Sequence, residues 1–294
     1  MSILYPRIID KVKYVSAISI TYGILAFIML GFIRYYKISP IISNELPLPV
    51  DLNFYNALAL AILISLAPPG ILLHYRCRIV DEVERFIPLF LRDTAELTRA
   101  GASIVRAIIE LSEKPYGRWS RVLRRIAIRI SLGEEFEETV VKTLKGLPET
   151  IKRYVLMILE AYRSGGRAAE TLDDAARFAA IIRGFEEEKR RSLRIYGIVL
   201  YTSMIIFLLA AGITIYMSKA LIKEGAGAEG GLIKVFTTPE TLTAIFYITG
   251  LFEAIFAGLV VGKLVRGAMV AGIIHVIILL TMVIMFINGL GLFI

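Results

Sequence analysis

Five apolar runs, each about 20 residues long, constrain this chain more than any other feature: residues 14–33, 54–73, 195–217, 242–262 and 268–288. About 20 helical residues span the ~30 Å of bilayer hydrocarbon, and a core helix of a soluble protein seldom runs that far without a polar face. The first three runs carry no charge, the fourth carries Glu253, and His275 is the titratable side chain of the fifth. Hydrophobic residues make up 56% of the chain, above the ~45–50% of a soluble domain, so the excess calls for membrane lipid as its partner. The first run follows Arg7, Lys11 and Lys13, as a signal peptide would. It is nevertheless longer than a signal core, and Arg34 and Tyr35 follow in place of small cleavable residues.

Orientation follows from Lys and Arg near the spans. With the N-terminus inside, the inner flanks carry 13 such residues and the outer loops 5. This predicts a cell-membrane protein with residues 1–73 as an N-terminal hairpin, 74–194 as a cytoplasmic segment and 195–294 as a C-terminal membrane region ending outside. The outer loops read as connectors, one proline-rich over residues 39–50 and one glycine-rich over 224–231. Neither resembles a receptor domain.

Residues 74–194 hold 24 Lys and Arg and 19 Asp and Glu, most of the charge in the chain. Apolar positions recur there at helical spacing: Phe90, Thr94, Leu97; Ile104, Ile108, Leu111; Trp119, Leu123, Ile126, Ile130; Phe136, Val140, Leu144; Ile151, Val155, Ile158, Tyr162. Gly101, Pro115 with Gly117, Gly133, Gly146 with Pro148, and Gly165 with Gly166 separate them. Ser103 and Thr171 suit N-caps. The segment therefore reads as about six helices in a bundle. Glycines 101, 133 and 166 beat at 32 and 33 residues, as repeated helix hairpins would. From residue 168 onward only Gly184 interrupts the path into the third run, which predicts one long helix. Along it Glu186 stands four residues before Arg190, and Glu187 before Arg191.

Much chemistry is excluded. Cys77, the single cysteine, rules out an internal disulfide and a thiolate-rich metal site. Two histidines cannot build a His-rich site. Glu134, Glu135, Glu137 and Glu138 open a helix, where they complement its dipole. Gly258 and Gly262-Lys263 lack the spacing and hydroxyl of a phosphate-binding loop. Ala254, Gly258 and Gly262 instead form a small-residue ridge, which Ala268 and Gly272 could match. No nucleic-acid motif accompanies the basic charge. The chain is expected to have no catalytic residue, no cofactor and no metal. Glu253 and His275 fall at similar depth in the bilayer, as a polar clasp between the last two spans or as an ion relay. Pro68-Pro69-Gly70 interrupts the second run, which reads as a kink or an early helix end.

The stretch Phe90-Leu-Arg-Asp-Thr-Ala-Glu-Leu-Thr-Arg-Ala-Gly-Ala-Ser-Ile-Val-Arg-Ala-Ile108 resembles the F-domain family of type II secretion. These are the membrane platforms of type II secretion, type IV pili, Tad pili and archaeal flagella. The later turn Glu160-Ala-Tyr-Arg-Ser-Gly-Gly166 and the opening of a closing helix at Thr171-Leu-Asp-Asp-Ala175 extend the likeness to roughly residues 80–217. Many relatives carry two such domains and this chain carries one, as in the Tad-type and archaeal proteins. That departure implies a homodimer or a related second platform subunit. The resemblance implies a non-enzymatic platform that couples a separate cytoplasmic ATPase to the assembly of pilin-like subunits. It matches Arg99, Gly101, Glu110, Glu160, Gly165 and Gly166 to the family's turn positions. Arg121, Arg124, Arg125 and Arg129 form a basic ridge, either a solvated face or a surface for an acidic partner. The alternative, from another class, is a small transporter or channel with Glu253 and His275 in its pathway.

Overall fold

In a computed structural model, residues 6–34, 51–145, 147–223 and 239–293 are described, and no strand occurs among them. The connectors expected at 39–50 and 224–231, and the breaker Gly146, lie outside these residues. Nine α-helices follow in order among the described residues: α1 (Pro6–Arg34), α2 (Leu52–Arg99), α3 (Ile104–Leu111), α4 (Trp119–Ser131), α5 (Phe136–Leu144), α6 (Glu149–Arg163), α7 (Ala168–Lys223), α8 (Pro239–Arg266) and α9 (Ile273–Phe293). Short 3-10 turns at Gly165–Arg167 and Met269–Gly272 precede α7 and α9. Two compact units result: a helical unit centred on Tyr75–Lys189, and a membrane unit of Lys13–His74 with Arg190–Ile294.

In the helical unit the apolar stripes do what their spacing predicts. Phe90, Ile104, Ile108, Leu111, Trp119, Leu123, Ile126, Val140, Ile151 and Val155 are all buried in one core. Phe90 sits at its centre, edge-on to Tyr116 and to Trp119 with ring centroids 5.6 and 5.8 Å away. Burying such a side chain contributes about 1.5–3 kcal/mol. One predicted core position is corrected. Tyr162 is exposed and leans on Phe136 at 4.6 Å, while its neighbours Leu159 and Ala161 fill the interior. A tyrosine at a stripe's edge keeps its hydroxyl wet at little cost.

The glycine beats acquire a physical meaning. Gly101 (φ +96°) and Gly133 (φ +90°) are left-handed. Each ends its helix in the same pattern, with Ala102 N–H donating to the Leu97 carbonyl and Glu134 N–H to that of Arg129, both at 3.1 Å. This six-to-one closure satisfies carbonyls the helix end would leave bare. At the third beat the left-handed residue is Gly165 (φ +58°) rather than Gly166.

Helices α2 and α7 each contribute residues to both units. The uninterrupted α7 agrees with the sequence; α2 does not. Pro68 and Pro69 neither end nor break it, because in a membrane helix neighbouring groups can satisfy the carbonyls that proline frees. Two of the six helices expected between residues 74 and 194 are thus the ends of these long ones.

The chain is a multi-pass membrane protein. The helices holding residues 52–99, 165–221, 239–266 and 269–290 are long and apolar enough to cross, and residues 14–29 form a shorter apolar stretch in α1. Small residues set their packing. A Cβ on Gly262 would lie 2.0 Å from the Gly272 nitrogen, and one on Gly258 2.5 Å from that of Val276. The expected small-residue ridge of α8 therefore meets α9 backbone to backbone. A second close approach, not anticipated, joins α1 to α2: Gly23 faces the Ala61 carbonyl and Ser65, and Ser19 donates to the Ser65 carbonyl.

Candidate functional site

The positions that the resemblance singles out, Arg99, Gly101, Glu110, Glu160, Gly165 and Gly166, are all exposed on the helical unit. Arg99, the last residue of α2, pairs with Asp173 in the first turns of α7 at 3.2 Å, and Asp173 also receives Arg177 at 3.5 Å. Asp173 belongs to the segment that resembles the family's closing helix, so two turn elements separate in sequence meet here. Ser103 caps α3 as expected, accepting from Arg106 N–H at 3.2 Å. Thr171 does not cap α7. That helix already begins at Ala168, and the Thr171 hydroxyl donates back to the Arg167 carbonyl at 3.0 Å.

Glu160 is exposed and reaches Arg163 at 3.5 Å. Arg163 also grips Glu137 with two nitrogens, Nε at 3.2 Å and Nη2 at 3.0 Å, and this charged hydrogen bond holds the Glu137 carboxyl below its usual range. Glu138 takes Lys142 at 2.9 Å. Glu134 accepts from Thr139 at 3.1 Å and lies 3.9 Å from Arg129. Glu134, Glu137 and Glu138 are thus paired with neighbouring cations, and no group of three or more metal-binding side chains is found among the described residues. Glu110 is exposed on α3.

The basic ridge lies along α4. Arg121 and Arg124 are exposed, Arg125 and Arg129 half-buried, and Arg124 Nε donates to the Ser112 carbonyl at 3.3 Å. Beside the ridge an open groove of about 630 Å³ runs between α3 and α4, lined by Ile109, Ser112, Glu113, Arg124, Ile128 and Leu132 among others. Ile128 is 61% and Leu132 79% exposed. Apolar side chains this bare beside arginines are what a docking surface offers. Sequence reading found the arginines and missed the apolar rim, although Ile128 and Leu132 sit one helical turn apart. It also missed a second exposed row, Phe178, Ile181 and Phe185 on α7, readable from its i, i+3, i+7 spacing.

Behind these faces lies a polar anchor. Arg183 on α7 reaches Glu84 on α2 at 3.9 Å and Glu187 at 3.0 Å. Burial pushes the Glu84 carboxyl up, against a hydrogen bond with Thr150 and the attraction of Arg183. Glu187 thus pairs back along α7 to Arg183. Elsewhere in the helical unit, Glu82 accepts from Arg118 Nε at 2.9 Å, and Arg118 stacks over the Tyr75 ring at 5.2 Å. Asp93 accepts from the Tyr116 hydroxyl at 2.6 Å, which together with burial pushes that phenol up.

In the membrane unit Glu253 and His275 are both half-buried and each finds a hydroxyl on α7. Ser203 donates to Glu253 at 3.4 Å, and Tyr201 lies 2.8 Å from His275 Nδ1. The clasp expected between α8 and α9 is replaced by two separate ties to α7. Another polar set went unnoticed in the sequence. Asn56, Asn288 and Tyr247 join three spans, with the Tyr247 hydroxyl and the Asn288 amide donating to Asn56 Oδ1 at 2.7 and 2.8 Å. Two asparagines inside apolar runs were its available signal.

Residues 90–218 match the family model for type II secretion system (T2SS), protein F. Proteins of the family are non-enzymatic membrane platforms that work with an ATPase and pilin-like subunits. An uncharacterized protein of Methanocaldococcus jannaschii is 27% identical over 222 residues, covering 72% of this chain and 35% of that protein. The chain thus spans about a third of that relative's length. No solved structure matches.

Proposed function

We propose that this protein is the membrane platform of a type IV pilus-like or type II secretion-like machine, and that its helical unit receives a cytoplasmic ATPase. The observation that carries this reading is the α4 surface, where Arg124 of the basic ridge lines a groove rimmed by bare Ile128 and Leu132. An acidic, partly apolar ATPase surface would complement it: charge steers the encounter, and desolvated apolar contact supplies the affinity. The domain match over residues 90–218 supports the same class of machine.

Nucleotide-driven movement of that ATPase would pass along α7, whose 56 residues form one helix, and help to lift pilin-like subunits from the bilayer. The exposed Phe178, Ile181 and Phe185 supply a face for a second subunit, either another copy of this chain or a related platform. The N-terminus and the helical unit face the cytosol, and the C-terminus lies outside. Co-purification tests the reading. The full chain should retain a secretion-type ATPase encoded beside it, and reversing Arg121, Arg124, Arg125 and Arg129 to Glu should abolish retention. Equal retention by the reversed variant overturns it.

A further inference from the structure

One end of the membrane unit gathers cations. Helix α8 ends in Lys263 and Arg266, α2 leaves the unit at His74, and α7 enters it through Arg190, Arg191 and Arg194. The acids among this unit's described residues are elsewhere: Asp51 and Glu240 open α2 and α8 at the opposite end, and Glu253 is midway along α8. Basic flanks alone express insertion topology. One atom here asks for more. Arg266 Nη1 is buried and has no acceptor among the described residues.

Packing fixes the surroundings of that guanidinium. One turn before Arg266, Gly262 lies against the Gly272 backbone. One turn before His74, Gly70 lies against the Ile273 side chain, 2.7 Å from where its Cβ would stand. Gly197 of α7 faces Val261 and Val265. The stretch of α2 around Gly70 and the end of α8 thus meet the start of α9, α7 packs on α8 there, and both His74 and Arg266 stand within electrostatic range of His275. A guanidinium loses hydration on burial and leaves a costly orphan unless an anion receives its N–H groups. At a bilayer's polar boundary the available anion is a phosphate ester, which a guanidinium binds through paired charged hydrogen bonds.

We propose that Arg266, aided by His74 and Lys263, holds the phosphate of one anionic phospholipid where α2, α7 and α8 meet α9. The lipid would tie α2 at His74 and the end of α8 to the start of α9. The chemistry is that of a phosphate monoanion, so free inorganic phosphate is the other source to separate.

The test uses the full chain reconstituted in equal parts of phosphatidylglycerol and phosphatidylcholine, extracted gently and weighed by native mass spectrometry. The wild type should keep phosphatidylglycerol in preference to phosphatidylcholine, and R266Q should lower that retention about fivefold. R191Q, which removes an exposed cation of the same flank, should leave it unchanged. Retention that survives added inorganic phosphate assigns the site to lipid; displacement by phosphate assigns it to the soluble anion and still supports the phosphate chemistry. The wild-type preference needs no variant to fold, so its absence overturns the proposal. Equal losses in R266Q and R191Q, which would mark unspecific adsorption to the basic flank, also overturn it.

Discussion

The two units are built from the same element and satisfy opposite solvents. In the helical unit Phe90, Trp119 and Leu172 are interior, and the ion pairs of Arg99, Arg163 and Lys142 lie outside. In the membrane unit Ile206, Ile213 and Met285 are bare, while Asn56, Tyr247 and Asn288 hydrogen-bond within the protein. Cohesion differs accordingly. The helical unit is held by burial of large side chains from water. Lipid offers no such drive between helices, so the membrane unit relies on backbone approach at Gly258 and Gly262 and on shared polar groups.

Substitutions that respect or violate this contrast should sort by size. The largest effect is expected from Trp119→Ala, about 3–5 kcal/mol in unfolding of the helical unit, because a fully buried aromatic leaves a cavity. A loss below 1 kcal/mol there, on the same scale, would mean that this core is not what holds the unit. Gly262→Ala comes next, at about 3 kcal/mol, since its Cβ would fall 2.0 Å from the Gly272 backbone. Thermal stability in detergent reads it, and the same methyl at Gly289, which faces open space, should cost far less. Asn56→Ala should cost about 1 kcal/mol in the membrane unit by removing the shared acceptor of Tyr247 and Asn288.

The buried Glu84 makes a prediction in pH rather than in substitution alone. Its carboxyl titrates above the usual range when folded, so the folded state binds the proton more tightly than the unfolded chain. Its stabilising share is present at low pH and is lost as pH rises through the folded value. Glu84→Gln should remove that decline, which denaturant melts between acid and neutral pH would show as a flatter profile. The smallest effect is expected for Arg99→Ala. Its exposed pair with Asp173 at 3.2 Å should be worth under about 1 kcal/mol, and less in high salt.

What was legible in the sequence follows the same divide. Periodicity revealed the stripe of Trp119, Leu123 and Ile126, because sorting against water writes itself at a spacing of three and four. The small-residue ridge of α8 was legible for a similar reason. Contacts between distant residues left no local trace: Asn56 with Asn288, Arg99 with Asp173, and Glu84 with Arg183 are pairings that only the folded chain creates. Local rules also misled where the environment overrode them. Pro68 and Pro69 break helices in water, and here α2 passes through both. Glu253 and His275 share a depth, and still each turns to α7. The basic ridge was visible as charge, but its apolar rim at Ile128 and Leu132 became apparent only once α3 was seen to leave it uncovered.

The central claim is that the helical unit faces the compartment where an ATPase works. The lone Cys77 makes a direct test simple. In a Cys77→Ser background, Leu132→Cys places a thiol at a site that is 79% exposed beside the basic ridge. A membrane-impermeant maleimide should label it only after cells are opened. Labelling in intact cells, at the rate seen in opened ones, would contradict the account.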